Sequence, residues 1–165
     1  MTTMLTIRPV CAADMDAISA LHKSAFGPGR YARTAYRVRE GNALFSPHCR
    51  AAFLGDELVA ALRFTPVTIG GKEGTLLLGP VAVDPDKKGS GYGRAVISRA
   101  IEDARSAGFH LVVLVGDMPY YGRFGFTPVP QGQITFPGPV NPMRILALEL
   151  SEGALAGYRG NLAAT

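Results

Sequence analysis

The chain has 165 residues, 47% apolar and 18% charged, with 20 Gly and 12 Pro. That is one domain's worth at roughly 100 to 200 residues per domain, enough for a sizeable core, and the composition excludes disordered, collagenous and coiled-coil chains. Seventeen Lys and Arg against thirteen Asp and Glu give a net charge of +4, which favours anionic partners, while the absence of any run of five basic residues argues against a disordered nucleic-acid-binding tail.

Met1 to Arg8 hold no basic segment followed by an apolar stretch and a small-residue cleavage site, so no secretion signal is read and the cytoplasm is the expected compartment. Leu5 to Arg8 alternates and ends at Pro9, a short first strand. From Asp14 to Phe26, the apolar Met15, Ile18, Leu21 and Ala25 recur at spacings of three and four, which predicts an amphipathic helix with Asp14 near its positive end and Gly27-Pro28-Gly29 as its stop. Residues 32–40 predict a shorter second helix, closed by Gly41-Asn42.

Cys49 to Leu54 and Leu58 to Thr68, joined by Gly55-Asp56-Glu57, predict an antiparallel hairpin. A turn over Ile69 to Gly74 leads into Thr75 to Val83, nearly all apolar, as a central strand covered on both faces requires. Its longest apolar stretch, Leu76 to Val83, is under half of the roughly 20 residues that a membrane span needs, so no membrane partner is expected. Within it Gly79-Pro80 signals a bulge or a place where pairing stops, because proline donates no ladder hydrogen bond.

After Asp84-Pro85-Asp86 and a glycine-rich turn, Val96, Ile97, Ala100, Ile101 and Ala104 share one face of a helix over Tyr92 to Ala107, with Gly108 beyond its end. Leu111 to Val115 is a second buried run, so strand, helix and strand form a βαβ unit of right-handed crossover with two parallel central strands. Thr127 to Met143 holds five prolines and predicts an irregular arm, Arg144 to Leu150 a last alternating strand, and residues 151–165 a short tail rich in glycine and alanine. No repeat or linker divides the chain, which reads as a single mixed α/β domain over residues 1–165 with a mostly antiparallel sheet. Two cysteines, Cys11 and Cys49, and three scattered histidines give neither a disulfide framework nor a metal-ligand spacing, so no metal is expected.

The segment that carries chemistry is the buried strand Val81-Ala82-Val83 and the turn Lys87-Lys88-Gly89-Ser90-Gly91-Tyr92-Gly93-Arg94, which opens a helix. Glycines let backbone N–H groups converge, a helix N-terminus adds about half a positive charge, and Lys87, Lys88 and Arg94 bring full charges, a combination that suits a phosphate. A tight turn capped by glycines is the plainer alternative. A P-loop is excluded because Gly93 is followed by Arg94 and Ala95, and a dinucleotide fingerprint starting at Gly89 meets Arg94 where its third glycine belongs.

Lys88-Gly89-Ser90-Gly91-Tyr92-Gly93 resembles the acyl-coenzyme A loop of the GNAT superfamily of N-acetyltransferases, Gln/Arg-x-x-Gly-x-Gly/Ala, with lysine in place of the usual Gln or Arg. The element order from Leu5 to Phe126 is similar too, and Tyr121 to Gly125-Phe126 has the spacing of the family's Tyr-x-x-x-Gly-Phe. Only Asp117-Met118-Pro119-Tyr120 precedes that tyrosine, where many members have a longer helical turn beginning with Asn; the shorter form resembles one subgroup of predicted acetyltransferases.

The resemblance implies a GNAT fold whose central parallel pair is splayed, acetyl-coenzyme A (acetyl-CoA) as co-substrate without a metal, and direct transfer of an acetyl group to a primary amine of a small molecule or protein. It implies further that Lys88, Gly89, Ser90, Gly91, Tyr92, Gly93 and Arg94 hold the pyrophosphate, and that Val81, Ala82 and Val83 line the pantetheine and thioester, with the Val81 N–H on the oxyanion of the tetrahedral intermediate. Tyr121 would protonate the departing thiolate, a step that a phenol of pKa about 10 can serve for a thiol of about 8.5. Packing of a short helix is the alternative for Tyr121 and Tyr120. Asp117 is the first candidate for the base, with helix capping as its alternative; Glu73, His48 and a water relay stay open. The family's usual acceptor pocket points to Phe26, Arg30 and Tyr31, while Arg30, Arg33, Arg37 and Arg39 are either a solvated helix face or a site for an acidic acceptor. A homodimer is compatible with these residues. The competing class is an acyl-CoA-binding sensor without turnover; a nucleic-acid module is disfavoured because no stripe of basic and aromatic residues is visible.

Overall fold

The computed structural model describes residues 4–26 and 46–165, so the helix expected over 32–40 lies outside the described residues. The elements are β1 (Leu5–Pro9), a 3-10 turn (Ala12–Asp14), α1 (Met15–Phe26), β2 (Arg50–Leu54), β3 (Glu57–Ile69), β4 (Lys72–Val83), α2 (Tyr92–Ser106), β5 (Leu111–Val115), α3 (Met118–Tyr121), β6 (Thr127–Pro128), β7 (Ile134–Thr135), β8 (Ile145–Glu149) and β9 (Gly160–Ala164). The sheet runs β1-β2-β3-β4-β5-β8-β6, antiparallel at every step except the parallel pair β4-β5, as expected of the mixed α/β class.

Two stretches are more ordered than the sequence suggests. The turn after β3 is only Gly70-Gly71, with φ of 60° and 80°, so both strands extend further toward it than the polar and glycine letters around it imply. Two consecutive positive φ values fit the right-handed twist of a tight hairpin. The tail is no loose end: β9 pairs antiparallel with β3 and parallel with β7. It is pinned by Tyr158 and Leu162, 1% and 2% exposed, and the Tyr158 hydroxyl donates to the Glu73 carbonyl at 2.6 Å. Two large side chains suffice where the surrounding glycine and alanine could bury little.

Apolar periodicity sorts the layers. α2 lays Val96, Ile97, Ala100, Ile101 and Ala104 on one face of the sheet against Leu62, Phe64, Leu76, Leu78, Val112 and Leu146. On the other face α1 packs Ile18 and Leu21 on Ala51, Ala61 and Ala82, and the arm and tail cover Leu77, Leu111 and Val113 with Ile134, Phe136, Tyr158 and Leu162. The far end of α2 is held by Asp103, which accepts from Arg50 at 2.9 Å and from Arg99 at 3.3 Å. Burial pushes the Asp103 carboxyl up, and those guanidinium groups more than cancel it, leaving it below its ordinary value.

β4 changes face partway along. Leu76 and Leu78 point toward α2, Leu77 away; beyond Gly79-Pro80, Val81 and Val83 point toward α2 and Ala82 away. The register accounts for this: Phe64 faces Leu78 and Leu62 faces Val81, so Gly79 and Pro80 together stand opposite Arg63. A bulge of one extra residue keeps the apolar side chains inward where a regular strand would turn them over.

No helix among the described residues is long and apolar enough to cross a membrane. Near the N-terminus, Arg8 donates to both carboxylate oxygens of the buried Asp14 at 2.8 Å, and the Cys11 N–H adds a third hydrogen bond at 2.9 Å. The Arg8 hydrogen bonds hold the Asp14 carboxyl well below the usual carboxylate range, against the opposing pull of burial. A depressed folded-state pKa contributes stability that is present above the unfolded value of about 4 and lost as pH falls toward the folded one. Asp14→Asn is therefore expected to cost about 1 to 2 kcal/mol at neutral pH, with the gap to the parent closing below about pH 3; urea denaturation at the two pH values measures both.

Candidate functional site

β4 and β5 are hydrogen-bonded only over Thr75–Leu77 and Leu111–Val113. β4 then continues through its bulge to Val83 and β5 to Val115, so the two strands end as an open fork. The direction of the peptide groups along the fork follows from the ladder with β3. The Asp84 N–H donates to the Val59 carbonyl at 2.9 Å, and the register pairs Val83 with Ala60, Ala82 with Ala61 and Val81 with Leu62. In an antiparallel ladder alternate residues turn both N–H and C=O to the partner. Ala82 therefore spends its peptide groups on β3, whereas Val81 and Val83 turn theirs into the fork. Ala82, grouped with Val81 and Val83 in the expected set, differs from them: its peptide groups face β3 and its side chain is buried under α1.

At one side of the fork lies a cleft of about 570 Å³ lined by Val81, Val83, the turn from Lys87 to Arg94, Tyr120 and Arg123. Gly89 and Gly91 have φ of 86° and 84°, and a Cβ on either would meet nothing within 4 Å, so the turn presents bare backbone to open space. Gly91 is the N-cap of α2 and no side chain caps that end, which leaves the first-turn amides directed at the cleft. Gly93 serves closeness instead: a Cβ there would lie 3.0 Å from Val83 Cγ2 and 3.5 Å from the Tyr120 hydroxyl oxygen. Lys87 is 3.6 Å from Glu57, while Lys88, Arg94 and Arg123 pair with no carboxylate among the described residues, and Arg123 sits 5.1 Å over the Tyr120 ring. Cationic side chains, bare amides and a helix N-terminus together suit a multiply charged anion.

At the other side is a second cleft, of about 460 Å³, with Leu77, Pro80, Val115, Phe136 and Val140 as apolar wall and Asp117, Tyr121, Asn141 and Arg144 as polar groups. Val81 lines both clefts, so they meet at the unpaired edge of β4. Tyr121 is half-buried, its ring 5.9 Å from that of Phe126 and 4.9 Å, edge-on, from that of Tyr120. It lies directly over Gly116, where a Cβ would come within 2.6 Å of Tyr121 Cε2.

Asp117 stands at the N-cap position of α3, but its side chain makes no capping bond; Arg144 Nη2 donates to its Oδ1 at 3.1 Å instead. The other base candidates lie elsewhere. Glu73 is at the opposite end of β4, about 25 Å from Val81 along an extended strand. His48 packs edge-on against Phe109, past the C-terminal end of α2 and about 20 Å of helix from the glycine turn. Burial, with the charge of Arg50, pushes its imidazole below the ordinary value. Arg30 and Tyr31 lie outside the described residues, and Phe26 is the last residue of α1.

Arg123, Gly116 and Arg144 are the residues that sequence reading passed over, and Tyr120 it weighed only beside Tyr121, with packing as the alternative. Tyr120 stands just before the recognised tyrosine motif and Arg123 inside it, and their spacing of three, which puts both on one face of a helical turn, was the available signal. Gly116 and Arg144 gave none, because their roles arise from contacts with chain segments far apart in sequence.

Comparison with known proteins places the chain. The family described as "Acetyltransferase (GNAT) domain" matches residues 6–129. The uncharacterised N-acetyltransferase YhbS of Escherichia coli strain K12 is 25% identical over 157 residues, 94% of this chain and 93% of its own. The crystal structure of Escherichia coli YhbS in complex with CoA superposes with a TM-score of 0.84 at 23% identity, covering 100% of this chain and 92% of that one. A GNAT family acetyltransferase from Brucella melitensis in complex with acetyl-CoA has a TM-score of 0.75 at 27% identity, over 99% and 97% of the two chains. With the family pattern running from β1 to β6 through α2 and the tyrosine motif, the chain belongs to the GNAT acetyltransferase family.

Proposed function

We propose that this protein is an acetyl-CoA-dependent N-acetyltransferase that passes an acetyl group directly to a primary amine while both substrates are bound. The observation that carries the reading is the fork itself: an unpaired strand edge at Val81 and Val83 that leads from a cationic, glycine-walled turn to an apolar cleft holding a tyrosine. A nucleotide thioester presents its groups in that order, pyrophosphate, then amide-bearing arm, then acyl carbon. The fit is supported by open space over Gly89 and Gly91 and by the cations at Lys88, Arg94 and Arg123. The acetyl-CoA complex of the Brucella relative agrees with it.

Acetyl-CoA supplies an acyl group activated as a thioester. The chain's own residues then act in sequence along the fork. The turn amides and Lys88 and Arg94 take the pyrophosphate. Val83 and Val81 give the pantetheine amides the ladder partners that β5 has ceased to provide. The Val81 N–H donates to the thioester oxygen as negative charge grows on it, an interaction worth a few kcal/mol where such donors have been removed. Asp117 accepts a proton from the acceptor's ammonium, and Tyr121 donates one to the departing sulfur.

Release of free thiol from acetyl-CoA with a panel of amines tests the reading; calorimetric binding of acetyl-CoA with no release from any amine favours a binding module instead. Tyr121→Phe is expected to keep acetyl-CoA affinity while lowering turnover about 100-fold or more, and full activity at every pH would reduce Tyr121 to packing. Gly116→Ala forces the Tyr121 ring to move, so turnover should fall together with a stability loss of about 1 to 3 kcal/mol, read from thiol release and chemical denaturation on the same preparation.

A further inference from the structure

The second cleft carries an arginine, Arg144, paired with Asp117, that acyl transfer alone does not require. Arg144 and Asp117 stand open at its rim, their side chains 49% and 73% exposed. A pair so exposed contributes little to folding. Yet both residues are firmly mounted. The Arg144 carbonyl accepts from the Gly116 N–H and its own N–H donates to the Asn141 carbonyl, each at 2.9 Å. The Asp117 carbonyl accepts from the amides of Tyr120 and Tyr121 at 3.2 and 3.0 Å. One positive and one negative group are thus held side by side above an apolar wall of Pro80, Val115, Phe136 and Val140, and no other charged residue lines this cleft among the described residues.

We propose that the acceptor is an apolar α-amino acid, its carboxylate on Arg144, its ammonium on Asp117 and its side chain on the apolar wall. The inference rests on the transferase reading above. Covalent geometry sets an α-ammonium and an α-carboxylate oxygen about 3 Å apart, and the Arg144–Asp117 separation is 3.1 Å. Laid against each other in opposite sense, the two dipoles make four alternating charges. A polyanionic acceptor would find a single cation here, already neutralised, and an amine lacking a carboxylate would leave Arg144 unused. The volume of about 460 Å³ lies within the range of small-molecule sites.

The step balances. The ammonium gives one proton to Asp117, the N–C bond forms as the C–S bond breaks, and the sulfur takes the Tyr121 proton. The second nitrogen proton restores the phenol, so one proton in all leaves through Asp117 to water. The product amide has no positive charge for Asp117 to hold, which favours its departure.

The test measures thiol release with leucine and phenylalanine against leucinamide, phenylalaninamide, isopentylamine and phenethylamine, for the parent protein, Arg144→Gln and Arg144→Lys. The parent should prefer the two amino acids. Arg144→Gln should raise their KM roughly tenfold to hundredfold relative to that of the carboxylate-free amines while the affinity for acetyl-CoA stays in place, and Arg144→Lys should recover part of the loss. Equal use of all six compounds by the parent, or an unchanged preference in Arg144→Gln, overturns this inference while the transferase reading stands. Acetyl-CoA binding without thiol release from any of the six overturns this inference, and the transferase reading falls with it only if the wider panel of amines releases none either. Should the variants fail to fold, the preference of the parent protein alone decides.

Discussion

The parting of β4 from β5 after Leu77 and Val113 is the constraint on which the rest of the molecule depends. A parallel pair in the middle of a sheet ordinarily consumes every peptide group between its strands, since a buried N–H or C=O without a partner costs free energy comparable to a lost hydrogen bond. Here the ladder ends partway, and the peptide groups of Val81 and Val83 are released toward the gap. The bulge at Gly79-Pro80 makes this tolerable for the core: it shifts which residues face inward, so Val81 and Val83 still bury their side chains toward α2 while their main chain turns to the opening. Packing and exposure of backbone, normally in conflict, are thereby satisfied by the same two residues.

The electrostatics on the two sides of the gap differ in kind. The side built by the turn into α2 has Lys88, Arg94 and Arg123 without carboxylate partners among the described residues, a local excess of positive charge that the net charge of +4 by itself does not locate. The side built by β5, α3 and the segment leading into β8 is balanced, Asp117 against Arg144. Long-range attraction would draw an anion to the first side and offer it little on the second, so the two clefts are distinguished by charge before any contact of shape is made.

Much of this was legible in the letters because it is local. Periodicity gave α1 and α2, the apolar run gave β4 and β5, and Gly79-Pro80 marked the bulge since proline's missing N–H is a property of one residue. The glycine turn was legible for the same reason: the conformations of Gly89 and Gly91 are dictated within a few residues. The difference between Ala82 and its neighbours was not legible, because adjacent residues of a strand point in opposite directions and only the register with β3 tells which one faces the gap. Arg144, Gly116 and the pinning of the tail by Tyr158 depend on contacts between segments tens of residues apart, which no window along the chain displays.

The last strand has a bearing on the far side of the molecule. β9 bridges β3 and β7, and the buried Gln133 side chain donates to the carbonyls of Leu155 and Tyr158 at 2.8 and 2.9 Å, so the proline-rich arm is strapped to the central sheet by the chain's final segment. Phe136 and Val140, which follow β7, belong to that arm. One cleft is thus walled by a separately anchored module and the other by the sheet's own turn, an arrangement in which exchanging residues of the arm would reshape one cleft and leave the walls of the other untouched.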